Sequence, residues 1–296
     1  MDIVKNILLT GGSGYLGRNL TKFLNQNDYN VILLVRSNSD LTYLDGMKTN
    51  ITIYRLGGVT IDQIFKENII DIVIHTAASY GRKGEDLSKI VDANLKFPLE
   101  VLDAAISNGV KYFINTDTAL PKDLNAYARS KKQFLEWLSA SSGDISIINL
   151  QLEYFYGPND DSTKFITYVL QGLRSGKSSL DFTAATPLRD FIYIDDVVDA
   201  YYTVLQNIEK FDGLTTFEIG SGEAVQLRDL IIEIRDISQN KDVQLNFGAI
   251  PMRPNEIMES CADITKLIAI GWQPKYTFRQ GILKTIELEN NSYGND

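Results

Sequence analysis

Thr10-Gly11-Gly12-Ser13-Gly14-Tyr15-Leu16-Gly17 is the stretch on which the reading of this chain turns. It follows an apolar run, Ile7-Leu8-Leu9, that reads as a short buried strand. It precedes a helical pattern of Leu16, Leu20, Phe23 and Leu24. Glycines at 11, 14 and 17 suit a strand that turns sharply into a helix. The first allows the tight turn, the second lets backbone N–H groups approach a pyrophosphate, and the third lets helix and strand pack closely. The helix start then offers unpaired donors and a positive dipole end to phosphates. A glycine-rich turn with no ligand has the same spacing; the position after the first strand favours a nucleotide site.

Outward from that stretch, strand and helix alternate. Strands are expected over 6–9, 31–35, 51–54, 71–75, 112–115 and 145–150, and helices over 14–25, 61–67, 86–107 and 127–140. Repeated βα units predict a doubly wound parallel α/β sheet with right-handed crossovers, whose ligands bind at the carboxyl ends of the strands. After Tyr156-Gly157-Pro158-Asn159-Asp160-Asp161 the composition changes. Helices over 165–175, 227–237, 264–270 and 277–287, with strands over 216–219 and 243–247, read as a smaller α/β cap closing over the cofactor sheet. The expected division is 1–160 with about 188–215 as the dinucleotide-binding domain, and about 161–187 with 216–296 as the cap.

Composition narrows the function. The 296 residues suffice for a large core without staples. A single cysteine, Cys261, rules out an internal disulfide and fits a reducing compartment. With 29 basic against 38 acidic residues the formal charge is −9, and no basic block occurs. That argues against nucleic acid or a membrane surface as partner, though not against a phosphate ligand. No apolar run reaches the ~18 residues of a membrane span. The start, Met1-Asp2-Ile3-Val4-Lys5, reads as a strand lead-in rather than a signal peptide, so the expected location is cytoplasmic. Asn290-Asn291-Ser292 is then a chance match to a glycosylation acceptor.

A second constellation is Tyr127-Ala128-Arg129-Ser130-Lys131. Four residues apart, Tyr127 and Lys131 share a helix face. An ammonium near the phenol is expected to lower the tyrosine pKa. Such a tyrosine can give a proton to a carbonyl oxygen as hydride reaches carbon, or take it back in reverse. The spacing alone also describes a solvated helix face; the context of the glycine fingerprint favours chemistry. A hydroxyl should complete the site, and Asn115-Thr116-Asp117-Thr118 offers Thr118 and Thr116, either of which also fits a turn or cap. Thr118 is preferred, because Thr116 falls closer to the strand. The only histidine, His75, ends a strand, where a structural role outweighs that of a general acid. One histidine and one cysteine far apart in sequence make a metal site or a Cys/His nucleophile improbable.

These residues together resemble the extended short-chain dehydrogenase/reductase family, the nucleotide-sugar epimerases, dehydratases and 4-ketoreductases. The resemblance runs through Gly11/Gly14/Gly17, His75-Thr76-Ala77-Ala78, Asn94, Tyr127/Lys131, Tyr156-Gly157-Pro158, Arg189-Asp190-Phe191-Ile192-Tyr193-Ile194-Asp195-Asp196, Phe217-Glu218-Ile219-Gly220-Ser221-Gly222-Glu223 and Gly271-Trp272. Within the family the chain resembles the CDP-abequose synthase type of 4-ketoreductase, through Tyr80-Gly81-Arg82-Lys83, residues 115–118, Glu153-Tyr154-Phe155 and Asn255-Glu256-Ile257-Met258.

The resemblance implies a Rossmann-type fold and reduction of the C4 keto group of a nucleotide-linked 4-keto-6-deoxyhexose, in deoxysugar supply for a surface polysaccharide such as O-antigen, lipopolysaccharide or capsule. It implies Tyr127 as acid, Lys131 as its partner and holder of the nicotinamide ribose, and Thr118 as the hydroxyl on the C4 oxygen. Gly11, Ser13, Gly14, Tyr15, Leu16, Gly17, Arg36, Thr76, Ala77, Ala78 and Asn94 would hold the cofactor. Tyr80, Glu153, Arg189, Arg253 and Glu256 would hold the substrate, the two arginines on its diphosphate. No metal is implied. A homodimer through the helices over 86–107 and 127–140 is expected by the same analogy.

Departures from the family pattern refine this. Arg36-Ser37 stands where an acid would hold a ribose hydroxyl, which favours NADPH over NADH. Gly57-Gly58 replaces an acid near the adenine, Gln151 replaces an arginine, and the 118–127 loop is short. Ala119-Leu120 after Thr118 lacks the Asp-Glu pair of the dehydratases. A 4-epimerase recycling tightly held NAD is the second reading. A nucleotide-sensing protein that lost the chemistry is the third, opposed by intact Tyr127 and Lys131.

Overall fold

The structure is a computed structural model that describes residues 5–47, 50–82 and 84–293. Residues 1–4 of the lead-in, Lys83 and the Ser292 side chain lie outside the described residues. The first part runs β1 (Asn6–Thr10), α1 (Tyr15–Gln26), β2 (Asn30–Val35), β3 (Ile51–Arg55), α2 (Ile61–Glu67), β4 (Ile72–His75), α3 (Leu87–Val91), α4 (Phe97–Ser107), β5 (Tyr112–Thr118), α5 (Ala126–Ala140) and β6 (Ser146–Leu152). There follow β7 (Tyr154–Tyr156), α6 (Phe165–Arg174), β8 (Ser179–Phe182), β9 (Leu188–Tyr193), α7 (Ile194–Gln206), β10 (Leu214–Ile219), β11 (Ala224–Gln226), α8 (Leu227–Ile237), β12 (Gln244–Phe247), β13 (Glu259–Ser260), α9 (Thr265–Ala269) and α10 (Phe278–Tyr293).

Seven strands form one sheet in the order β10-β6-β5-β4-β1-β2-β3. The pairs β1–β2, β1–β4, β2–β3 and β4–β5 are parallel. Strands buried on both faces are apolar over most of their length: Ile7, Leu8, Leu9, Ile72, Val73 and Ile74 are fully buried, and polar residues enter at the carboxyl ends. Strand order reverses at β1, between β2 and β4, and the glycine turn leaves β1 at that switch point.

By contacts the chain divides into 1–151 with 202–217, and 152–201 with 218–296. Residues 188–201, which the sequence reading grouped with the first unit, fall in the second. The cause is pairing: β9 hydrogen-bonds with β7, β11 and β13, none of them in the seven-stranded sheet. Strands β7, β8, β9, β11 and β13 and the helix α7 escaped the sequence reading, being short or masked by a continuous apolar run. The helix expected over 86–107 is interrupted by a wide turn at Asp92–Lys96. Such one-turn widenings re-aim side chains and recur at functional sites. No helix among the described residues is long and apolar enough to cross a membrane.

Candidate active site

The glycine turn is a cradle that side chains would fill. Gly11 has φ +75°, and a Cβ there would lie 2.6 Å from the Ala77 backbone nitrogen. A Cβ on Gly17 would lie 2.1 Å from the Gly11 carbonyl oxygen. The turn therefore packs backbone on backbone against 76–77, at the carboxyl ends of β1 and β4. The Gly14 N–H donates to the Gly11 carbonyl at 2.9 Å. Tyr43 donates its hydroxyl to the Gly12 carbonyl at 2.7 Å, a brace no sequence signal announced. At the start of α1 no side chain caps the helix and no acid sits in the first turn. These donors fit a dinucleotide pyrophosphate, which a capping carboxylate would repel.

The other cofactor candidates take distinct places. The Ser13 and Ser39 hydroxyls meet at 3.0 Å. Arg36 is exposed just past β2, and Arg55 on β3 donates to the carbonyls of Ser37 at 2.8 Å and Ser39 at 3.0 Å. That loop is therefore held by its backbone, beside Arg36. The Thr76 hydroxyl donates to the Thr10 carbonyl at 2.8 Å. Asn94, in the wide turn, is fully buried: its Oδ1 accepts from the Ser79 N–H at 2.7 Å, and its Nδ2 donates to the Ser79 carbonyl at 2.8 Å and to Ser130 Oγ at 3.0 Å. Its amide is saturated by protein partners, so it ties the segment after β4 to α5. His75 is fully buried, with Nδ1 at 2.8 Å from Thr10 Oγ1. Burial first, then the Lys131 charge, hold its pKa well below the ordinary histidine value, so it is neutral and structural.

The candidate reacting groups lie on α5 and β5. Asn125 caps α5 by accepting the Ala128 N–H at 2.8 Å, which fixes the first turn and with it Tyr127. Strand β5 runs on to Thr118, further than the sequence suggested, so Thr116 and Thr118 both belong to it. The Thr118 hydroxyl hydrogen-bonds the Tyr127 phenol. The Tyr80 ring lies against that of Tyr127, centroids 4.7 Å apart. Lys131, 1 % exposed, has its ammonium 6.0 Å from the Phe134 ring centroid. Burial pulls its pKa down to about 8, opposed by the Asp117 carboxylate and assisted by the Lys132 charge.

One expectation is corrected. The phenol of Tyr127 is pushed well above its ordinary pKa, not below it. Burial is the largest cause, followed by Tyr80 and Asp117, and only the Thr118 hydrogen bond lowers it appreciably. The resting site holds a protonated phenol beside an easily deprotonated lysine.

The second unit holds the remaining candidates. Arg189 is nearly buried, paired with Glu256 at 2.6 Å, and donates to the carbonyls of Leu188 and Ile257. Asp190, next to it, accepts from the backbone N–H groups of Ser221, Gly222 and Ala262. Arg253 is exposed. The Glu153 Oε1 accepts from Ser260 at 2.6 Å while Oε2 is buried without a partner among the described residues. Burial pushes the Glu153 pKa up to about 7.

Comparison with known proteins places these features in context. The family model described as "NAD dependent epimerase/dehydratase family" matches residues 7–220. A CDP-abequose synthase of Salmonella typhimurium is 34% identical, covering 93% of this chain and 95% of that protein. A CDP-abequose synthase of Salmonella muenchen is 31% identical, covering 98% and 99%. Among solved structures, a UDP-glucose 4-epimerase of Thermotoga maritima with UDP-glucose superposes with a TM-score of 0.83 at 23% identity, covering 97% of this chain and 99% of that one. A Thermus thermophilus UDP-glucose 4-epimerase in complex with NAD gives 0.80 at 22%, with the same coverage.

Proposed function

The chain belongs to the NAD dependent epimerase/dehydratase family and is an NAD(P)-dependent enzyme of the oxidoreductase type; within that family we propose that it reduces the C4 ketone of a nucleotide-linked 4-keto-6-deoxyhexose with NADPH, in deoxysugar supply for a surface polysaccharide. The observation that carries this is Arg36, exposed just past β2 with no carboxylate in the place of a ribose acceptor, which supports NADPH, consumed in reduction, over the NAD that an epimerase recycles. The neutral Tyr127 phenol is the proton donor that a nascent alkoxide needs. The resemblance to two CDP-abequose synthases supports the nucleotide-sugar class.

The cofactor supplies hydride to C4 when bound. Gly11, Gly14 and Gly17 with the start of α1 receive its pyrophosphate, and Lys131 its nicotinamide ribose. Thr118 and Tyr127 together bind the C4 oxygen. Tyr127 gives its proton as the oxygen gains charge, and Lys131 stabilises the phenolate left behind. Ser13, Tyr15, Leu16, Thr76, Ala77 and Ala78 line the dinucleotide; Asn94 acts by holding α5 in place. In the second unit Arg189 and Arg253 serve the nucleotide diphosphate, and Glu153 and Glu256, the latter paired with Arg189, serve the rest of the substrate; in the first unit Tyr80 abuts the reacting phenol. Exposed Leu87 and Val91 on α3 and Trp137 on α5 support a homodimer through those helices.

The deciding experiment follows absorbance of NADPH with CDP-, dTDP- and GDP-4-keto-6-deoxy sugars, with product NMR. Stoichiometric NADPH oxidation is expected with at least one. Interconversion of nucleotide sugars without net cofactor use would instead establish the 4-epimerase reading.

Cofactor preference has its own test. Arg36 lies past β2 with no carboxylate in the place of a ribose acceptor, which supports a 2′-phosphate ligand. Arg36→Ala is expected to raise KM for NADPH about tenfold, the worth of one charge-assisted contact, and to leave KM for NADH unchanged. Equal effects on both would remove Arg36 from that role.

A further inference from the structure

The chemistry above uses Lys131 but not its neighbour. Lys132 is largely buried and makes three hydrogen bonds: to Asp117 Oδ2 at 2.8 Å, to the Thr118 carbonyl at 2.6 Å and to Gln151 Oε1 at 3.2 Å. Asp117 is 1 % exposed and also accepts from Asn149 at 3.3 Å, itself bonded to Asn115 at 2.7 Å. A buried ion pair of this kind is weak support for stability, because desolvation offsets its attraction. It does, however, join two elements at one point. Asp117 and Thr118 end β5; Lys132 belongs to α5, one residue past Lys131 and five past Tyr127.

We propose that Asp117 and Lys132 are a positioning pair: Lys132 ties the strand end that bears Thr118 to the helix that bears Tyr127 and Lys131, and the two opposed charges together set the charge on Lys131. The proposal rests on reading Tyr127 and Lys131 as the reacting pair. Gln151, standing where the family resemblance expects an arginine, fits it: the cation that touches this strand comes from α5 instead. The charged and titratable groups facing Lys131 come from three elements. Tyr127, one turn back on α5, is held neutral by burial. Asp117 comes from β5 and attracts its proton; Lys132 on α5 repels it; His75 from β4 is neutral. Removing either member therefore moves Lys131 in opposite directions, which loss of packing alone does not do.

The test is Nζ-detected NMR titration of the full chain labelled with 15N-lysine, the Lys131 signal being identified by its loss in Lys131→Arg. Deprotonation is expected near pH 8 in the parent. Asp117→Asn should displace it downward and Lys132→Met upward, each by about one pH unit. In Asp117→Asn/Lys132→Met, which removes both members of the pair together, the displacements should cancel to within about half a unit. Lys132→Arg should keep the parent value. Displacements of the same sign, or none in a folded single variant, overturn the proposal. Should a single variant not fold, a double variant titrating a full unit from the parent overturns it as well. No sugar nucleotide enters this experiment, so failure of the reductase reading would show separately, as absent turnover in the parent.

Discussion

Tyr127→Phe is expected to lower kcat at least ~10²-fold, the contribution of a positioned general acid, while cofactor affinity stays within about threefold. The phenol is fixed from three sides: by the Asn125 cap that sets the first turn of α5, by the ring of Tyr80 at 4.7 Å, and by the Thr118 hydroxyl. Phenylalanine keeps the ring and its packing and removes only the oxygen. The loss therefore appears in kcat and not in folding. Steady-state NADPH oxidation with a turned-over sugar nucleotide, alongside a fluorescence titration of NADPH, separates the two. Turnover within a few-fold of the parent would take the acid role from Tyr127.

Gly17→Ala is the second large effect. The added methyl carbon would stand 2.1 Å from the Gly11 oxygen, 2.7 Å from the Gly11 carbonyl carbon and 2.9 Å from the Gly12 Cα. All three are backbone atoms, so no rotamer change relieves the clash. The turn and α1 must separate, at a cost of about 1–3 kcal/mol, which is several degrees in Tm for a chain of this size. Because the donors that receive the pyrophosphate lie in that turn, Kd for NADPH should rise more than ~10-fold. Gly143→Ala is the control, since a Cβ there meets nothing within 4 Å. Parent-like NADPH affinity in Gly17→Ala, measured by calorimetry, would mean that the dinucleotide does not lie on this turn.

Much of the first unit was legible because its signals are local. A glycine pattern directly after an apolar triplet specifies a strand, a turn and a helix, and α2 and α8 fall where their apolar periodicity put them. The second unit was less legible. Its strands are short, and β9 ends in Phe191-Ile192-Tyr193, an apolar run that continues without a break into Ile194, the first residue of α7. Periodicity does not divide such a run between strand and helix. Spacing and context name Tyr127, Lys131 and Thr118 as candidates. They do not give the direction of the Tyr127 shift, because spacing reveals the ammonium and hides the burial, Tyr80 and Asp117 that raise it. Lys132 and Asp117 carry a signal of their own: a carboxylate inside a strand buried at Phe113, Ile114 and Asn115 requires a cation, and the next helix carries three, Arg129, Lys131 and Lys132.

The grip of Arg55 on the loop after β2 is made through carbonyl oxygens, which every amino acid possesses. From 36 to 38 the path of the chain therefore rests on backbone atoms, and only Ser39 adds a side-chain tie, to Ser13. With Arg36 in the role proposed for it, its exchange would alter the coenzyme contact and leave this scaffold in place.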